Sequence, residues 1–149
     1  MIIISHRGNL TGPDKKTENT REQITKALGL GFHVEIDVWY VDNLLYLGHD
    51  KPENEIDLEF IKNEKLWCHA KNINALNQMV KLNIHCFWHQ NDDYALTTNN
   101  FIWTYPGNQL STKSICVMPE LSNYTNKEIL NCAGICSDFI GRYQNDLQL

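Results

Sequence analysis

Two short stretches of this 149-residue chain carry titratable side chains at the spacing a strand needs to aim them together. Glu35 and Asp37 are two residues apart within an apolar run. Successive strand side chains alternate faces, so both carboxylates leave the same face. Two like charges that close repel unless a cation lies between them, and a pair of oxygen donors suits Mg²⁺ or Ca²⁺. His69 and Lys71 obey the same two-residue rule, joining a candidate metal ligand to an ammonium that can hold a phosphate oxygen as a point charge. Phosphoryl transfer is the chemistry such a set suits, and it needs protons moved. His6 and His49 titrate near neutrality and read as an acid/base pair, while Arg7 offers its fork of donors to a phosphate.

These residues act together only if the fold converges them. Apolar runs at 2–4, 32–41, 66–70, 84–88, 101–104, 115–118 and 134–136 predict seven strands. Asp42-Asn43 reads as a turn into a short return strand at 44–47. Helical spacing covers 20–30, 74–82 and 125–132, with a shorter helix at 56–63, and Thr125 with Glu128 three positions on has the form of a capping box. Strands alternating with helices imply an α/β fold of about seven mostly parallel strands. A full eight-unit barrel takes about 250 residues, so the expectation is one domain over 1–149, a compact or truncated TIM-type (β/α) barrel. In such a fold His6, Glu35, Asp37, His69, Lys71, His89, Glu120 and Asp138 fall at or along the C-terminal ends of strands, where active sites assemble.

Composition bounds the rest. An apolar fraction of 42% is enough for a real core, and a net charge of −5 argues against a nucleic-acid partner, which needs clustered Lys and Arg. The five cysteines are odd in number and form no close CxxC pair, which favours a reducing compartment over a disulfide framework. Met1 to Ile4 run straight into polar Ser5-His6-Arg7, without a signal-peptide pattern, and no stretch reaches the ~20 apolar residues of a membrane span. A cytoplasmic protein without membrane insertion is expected, taking a small phosphodiester. A shortened barrel also leaves sheet edges through which two copies could pair as a homodimer. His85-Cys86-x-x-His89 invites a zinc reading, but alternation sends His85 and Cys86 to opposite faces. Trp103 reads either as barrel packing or as a substrate wall.

Four pieces in order, Ser5-His6-Arg7-Gly8, Glu18-Asn19-Thr20, Glu35-Ile36-Asp37-Val38 and Gly48-His49-Asp50, resemble the N-terminal signature of glycerophosphodiester phosphodiesterases. Trp67 to Lys71 is similar to the family's Glu-x-Lys strand, Phe101 to Thr104 to its late Trp-Thr strand, and Gly134 to Phe139 to its closing strand. The resemblance implies His6 and His49 as acid and base, Glu35 and Asp37 as metal ligands, Arg7 and Lys71 on the substrate phosphate, and Glu18 as a further site carboxylate. It also implies a glycerol- or lipid-derived phosphodiester and attack on phosphorus by a neighbouring substrate hydroxyl to give a cyclic phosphate. A phospholipase-like headgroup hydrolase and a catalytically silent barrel binding a phosphorylated ligand are the alternatives. His69 stands where the family carries a third acidic ligand, which shifts metal preference toward Mn²⁺ or Zn²⁺.

Overall fold

The computed structural model describes residues 1–147. The first strand, β1 (Ile2–His6), is central and pairs on both sides with parallel neighbours, β2 (His33–Val41) and β10 (Gly134–Ser137). From β2 the sheet continues through β5 (Leu66–Ala70) to β6 (Cys86–Phe87), and from β10 through β9 (Ser114–Val117) to β8 (Ile102–Thr104), all parallel. Three further strands are antiparallel: β3 (Leu44–Leu47) on the outer half of β2, β4 (Asn54–Ile56) on β3, and β7 (Tyr94–Leu96) on β8.

The expected TIM-type (β/α) barrel is therefore corrected. Ten strands form one mixed sheet curled into a half-barrel, and among the described residues only five α-helices accompany them. The physical reason is chain length. Between β6 and β8 the chain holds only β7, and between β8 and β9 only a loop, so helices cannot alternate with those strands. The ladder also stops at β6, where Thr98 ties the two ends by its N–H to the Cys86 carbonyl and by Oγ1 accepting the Cys86 N–H, beside the stacking of Phe87 on Trp103.

The helices sit where the sequence supports them. Thr20 caps α1 (Arg21–Gly29) by accepting the Gln23 N–H, and Asn72 caps α3 (Ile73–Lys81) by accepting that of Ala75 at 2.8 Å. Both pack on the outer face of β2 and β5, where Ile24, Ala27, Val34, Ile36, Val38 and Met79 form a core that is almost dry. The capping box expected at Thr125 is present at the start of α4 (Asn126–Leu130). Two more helices, α2 (Leu58–Ile61) and α5 (Ile140–Asp146), complete the set. Inside the curl a second core stacks Ile4, Trp67, Phe87, Trp103 and Ile115. Alternation along β1, β2 and β5 then carries His6, Glu35, Asp37 and His69 onto this inner face, above the aromatic layer. No helix among the described residues is long and apolar enough to cross a membrane.

A candidate metal and phosphate site

The turn after β1 sets the first residues of the site. Arg7 and Gly8 are both left-handed, at φ 53° and 86°, and the Asn9 N–H returns to the His6 carbonyl at 2.8 Å. Only glycine serves at position 8, because a Cβ there would press on the backbone of Gln23 at 3.2 Å in a conformation L-residues avoid. The Arg7 N–H bonds the Glu35 carbonyl at 2.9 Å, which locks the turn to β2.

Asp37 is the most enclosed charge in the molecule's centre. Its side chain is 0% exposed, and Asn19 clips it by donating Nδ2–H to Oδ2 at 2.9 Å and accepting the Asp37 N–H at 3.0 Å. Around it lie Arg7 Nε at 3.0 Å, His69 Nδ1 at 3.0 Å and Lys71 Nζ at 3.3 Å. The Arg7 and His69 approaches are ion-pair contacts without hydrogen-bond alignment, so Arg7 Nε and Asp37 Oδ1 stay unpartnered although buried. Burial works against the Asp37 charge, yet the close His69 contact and the cations Arg7 and Lys71 prevail and hold its pKa well below the usual carboxylate range. Glu35 goes the other way. Burial and the Asp37 charge raise it, against the pull of His6, Arg7 and His69.

One atom each from Glu35, Asp37 and His69 lie within 4.8 Å of one another, close enough to face a single ion. Glu35 Oε2 is buried without a hydrogen-bond partner, as is Asp37 Oδ1. Buried carboxylate oxygens left bare cost free energy, and a divalent cation is the partner that such a donor set fits.

His6 stands next to this group. Its Nδ1 donates to Asp138 Oδ1 at 2.8 Å, and its Nε2 lies 3.7 Å from Glu35 Oε2. Asn9 Nδ2 also donates to Asp138, at 2.8 Å. Burial lowers the His6 pKa, but the Asp138 bond and the Glu35 charge outweigh it and leave the ring above its ordinary value. Burial likewise opposes the Asp138 charge, and the His6 bond overcomes it and keeps that carboxyl low.

His6, Arg7, Glu35, His49, His69 and Lys71 line one side of a single cleft of about 610 Å³. Asp37 lies beneath it. His49 is at the exposed rim, its Nδ1 2.7 Å from Asp50 Oδ1. Glu18 does not line the cleft; it sits behind Arg7, accepting from Nη1 at 3.2 Å and from Asn9 Nδ2 at 3.3 Å, and so orients the guanidinium. Trp103 is at once packing and wall, 3% exposed and stacked on Phe87 at 4.6 Å while reaching the cleft floor. A groove of about 590 Å³ on the outer side, lined by Leu45, Ile56 and Met79, lies away from this titratable cluster.

Sequence reasoning placed His89 and Asp138 at the active face without a role, had Asn19 only as part of a motif, and did not single out Asn9 or Tyr105. For Asp138 and His89 a signal existed, since each is two residues beyond an inward strand residue, Cys136 or Phe87, and alternation keeps that face. Tyr105 carries the same cue, two residues beyond the inward Trp103 of β8. His85 and His89 do not share a site: His85 packs on Trp67 at 4.2 Å, whereas His89 stacks on His69 at 5.0 Å. The five cysteines are free and buried.

Compared with known protein families, with curated proteins and with solved structures, the chain matches none.

Proposed function

We propose that this protein is a divalent-metal-dependent phosphodiesterase for a small phosphodiester, with chemistry like that of glycerophosphodiester phosphodiesterases. The observation that carries the reading is the buried Glu35–Asp37–His69 triad, with a carboxylate oxygen on each acid lacking a hydrogen-bond partner, under a cleft flanked by Arg7, Lys71 and two histidines. Glu35, Asp37 and His69 would hold the ion. Two carboxylates with one imidazole accept Mg²⁺ or Ca²⁺, and the nitrogen donor favours Mn²⁺ or Zn²⁺ further. When bound, the ion stabilises negative charge on the phosphoryl oxygens.

The chain's own groups do the rest. Lys71 and Arg7 neutralise the phosphate, and Glu18 keeps the Arg7 fork turned to it. Asp138 fixes the His6 ring with Nε2 toward the cleft. In this role His6 removes the proton of the attacking hydroxyl or water as its oxygen bonds phosphorus. His49, at the rim, gives a proton to the alcohol oxygen as its bond to phosphorus breaks.

The test is hydrolysis of bis(p-nitrophenyl) phosphate by protein loaded with Mn²⁺, Mg²⁺, Ca²⁺ or Zn²⁺. Turnover by the wild type and a loss of at least ~100-fold in both His6→Ala and His49→Ala is expected. Full activity in either variant removes that histidine from the mechanism. A second reading is favoured by the contacts of Asp37 with Arg7, His69 and Lys71, which already compensate much of its charge. It is a catalytically silent pocket for a phosphorylated ligand. Phosphate binding without metal binding or turnover would select it.

A further inference from the structure

The cleft has two unlike sides. Besides the charged groups it is lined by aromatic and apolar side chains that lie on β8 or follow β8 and β9: Trp103, Tyr105, Pro106, Met118 and Leu121. The rings are ordered into a ladder that starts at the triad itself. His69 stacks on Phe87 at 5.1 Å and on His89 at 5.0 Å, and His89 meets Tyr105 at 4.1 Å. His89 and Tyr105 line the cleft and are only partly buried.

The apolar rim is built in rather than loose. Met118 adopts a left-handed conformation at φ 45°, held by its N–H on the Cys136 carbonyl at 2.8 Å. The 3₁₀ turn that follows, Pro119–Leu121, is tied to β10 by Ser137 Oγ donating to Glu120 Oε1 at 2.9 Å. This anchored turn leaves Leu121 71% exposed at the mouth. A large apolar side chain fixed in water beside a charged site gains free energy only when something covers it.

A phosphate bearing only a polyol would use the charged side and leave the ring wall wet. We infer that the phosphate's organic substituent carries a planar aromatic group, a nucleobase or an aryl ring, seated along the His89–Tyr105 ladder and under Leu121. Ring faces accept a π-system of any sequence or substituent by stacking, whereas a polyol has no face to offer. The cleft's volume of about 610 Å³ suits a single small ester. This inference rests on the phosphate-binding reading of the same cleft.

The experiment is calorimetric titration of Mn²⁺-loaded wild-type protein with thymidine 5′-monophosphate, phenyl phosphate and glycerol 3-phosphate, which share a phosphate and differ in the attached group. Both aromatic esters are expected to bind about tenfold tighter than glycerol 3-phosphate, or about 1.4 kcal/mol. Tyr105→Ala erases that preference and Tyr105→Phe retains it. If only the thymidine compound is favoured, the group is a nucleobase. If glycerol 3-phosphate binds as tightly as the aromatic esters in the wild type, the inference falls and the phosphodiesterase reading stands. An aromatic preference without any diester hydrolysis overturns the enzymatic reading and leaves the ring subsite. No binding by any of the three overturns both.

Discussion

The two ends of the sheet's inner face hold the same residue types under opposite electrostatics. At the lower end His33 and His85 pack against Trp67, with Trp67 Nε1 donating to His33 Nδ1 at 3.2 Å, and burial pushes His85 down to about 4 and lowers His33. At the upper end His6 is just as enclosed, but Asp138 and Glu35 face it and its pKa rises instead. Burial alone pushes an imidazole toward its neutral form, whereas burial beside carboxylates raises its affinity for a proton. The lower end is built to hold the curl together and the upper end to hold ions.

Removing a charge from the upper end is the strongest way to break this contrast. Asp37→Asn leaves Arg7 and Lys71 buried together beside His69 without their shared counter-charge. We expect a stability loss of about 3–5 kcal/mol in urea titration. Calorimetry should also give a fall in Mn²⁺ affinity of at least ~100-fold, more than loss of an outer partner causes. Unchanged metal affinity in Asp37→Asn would show that the triad is not the ion's site.

A change at the lower end should move stability and nothing else. Trp67 is 2% exposed, and Trp67→Phe removes its indole N–H and part of its volume. The expected cost is about 2 kcal/mol, with Mn²⁺ affinity within about twofold of wild type.

The smallest effects are in pH dependence, and there the two ends should differ in sign. The folded pKa of His6 lies above 6.5 and that of Asp138 below 3.8. The stability His6 brings is full below its unfolded value and lost as pH rises through the folded one; that of Asp138 is present above its unfolded value and lost as pH falls through the folded one. The advantage of wild type over Asp138→Asn should therefore peak between about pH 4 and 6.5. His85, depressed to about 4, resists protonation and destabilises the fold progressively as pH falls from 6.5 toward 4. His85→Phe should thus gain on wild type at pH 5 relative to pH 8. Chemical denaturation at three pH values checks both, and parallel profiles for the two variants would erase the distinction.

Much of the upper site was legible because strand alternation is local. Glu35 with Asp37, and His69 with Lys71, needed only a spacing of two and an apolar run around them. The capping box at Thr125 was likewise short-range. The strands β4 and β7 were not readable. Each is three residues long and lies among polar turn-formers, and each exists because a neighbour's free edge accepts it. The barrel itself was over-read from the order of the elements, since order does not say whether enough chain remains to put a helix over every strand.

Side-chain pattern along single strands thus decided which residues face inward, a property of backbone geometry that needs no partner. Tertiary structure decided what those residues become. Asp138 reaches His6 across 132 positions of sequence, Asn19 reaches Asp37, and the Tyr105 ring meets His89 only because the sheet curls. Charge state, ion affinity and the two-sided cleft are sums over neighbours brought together by that curvature, and local spacing carries no record of them.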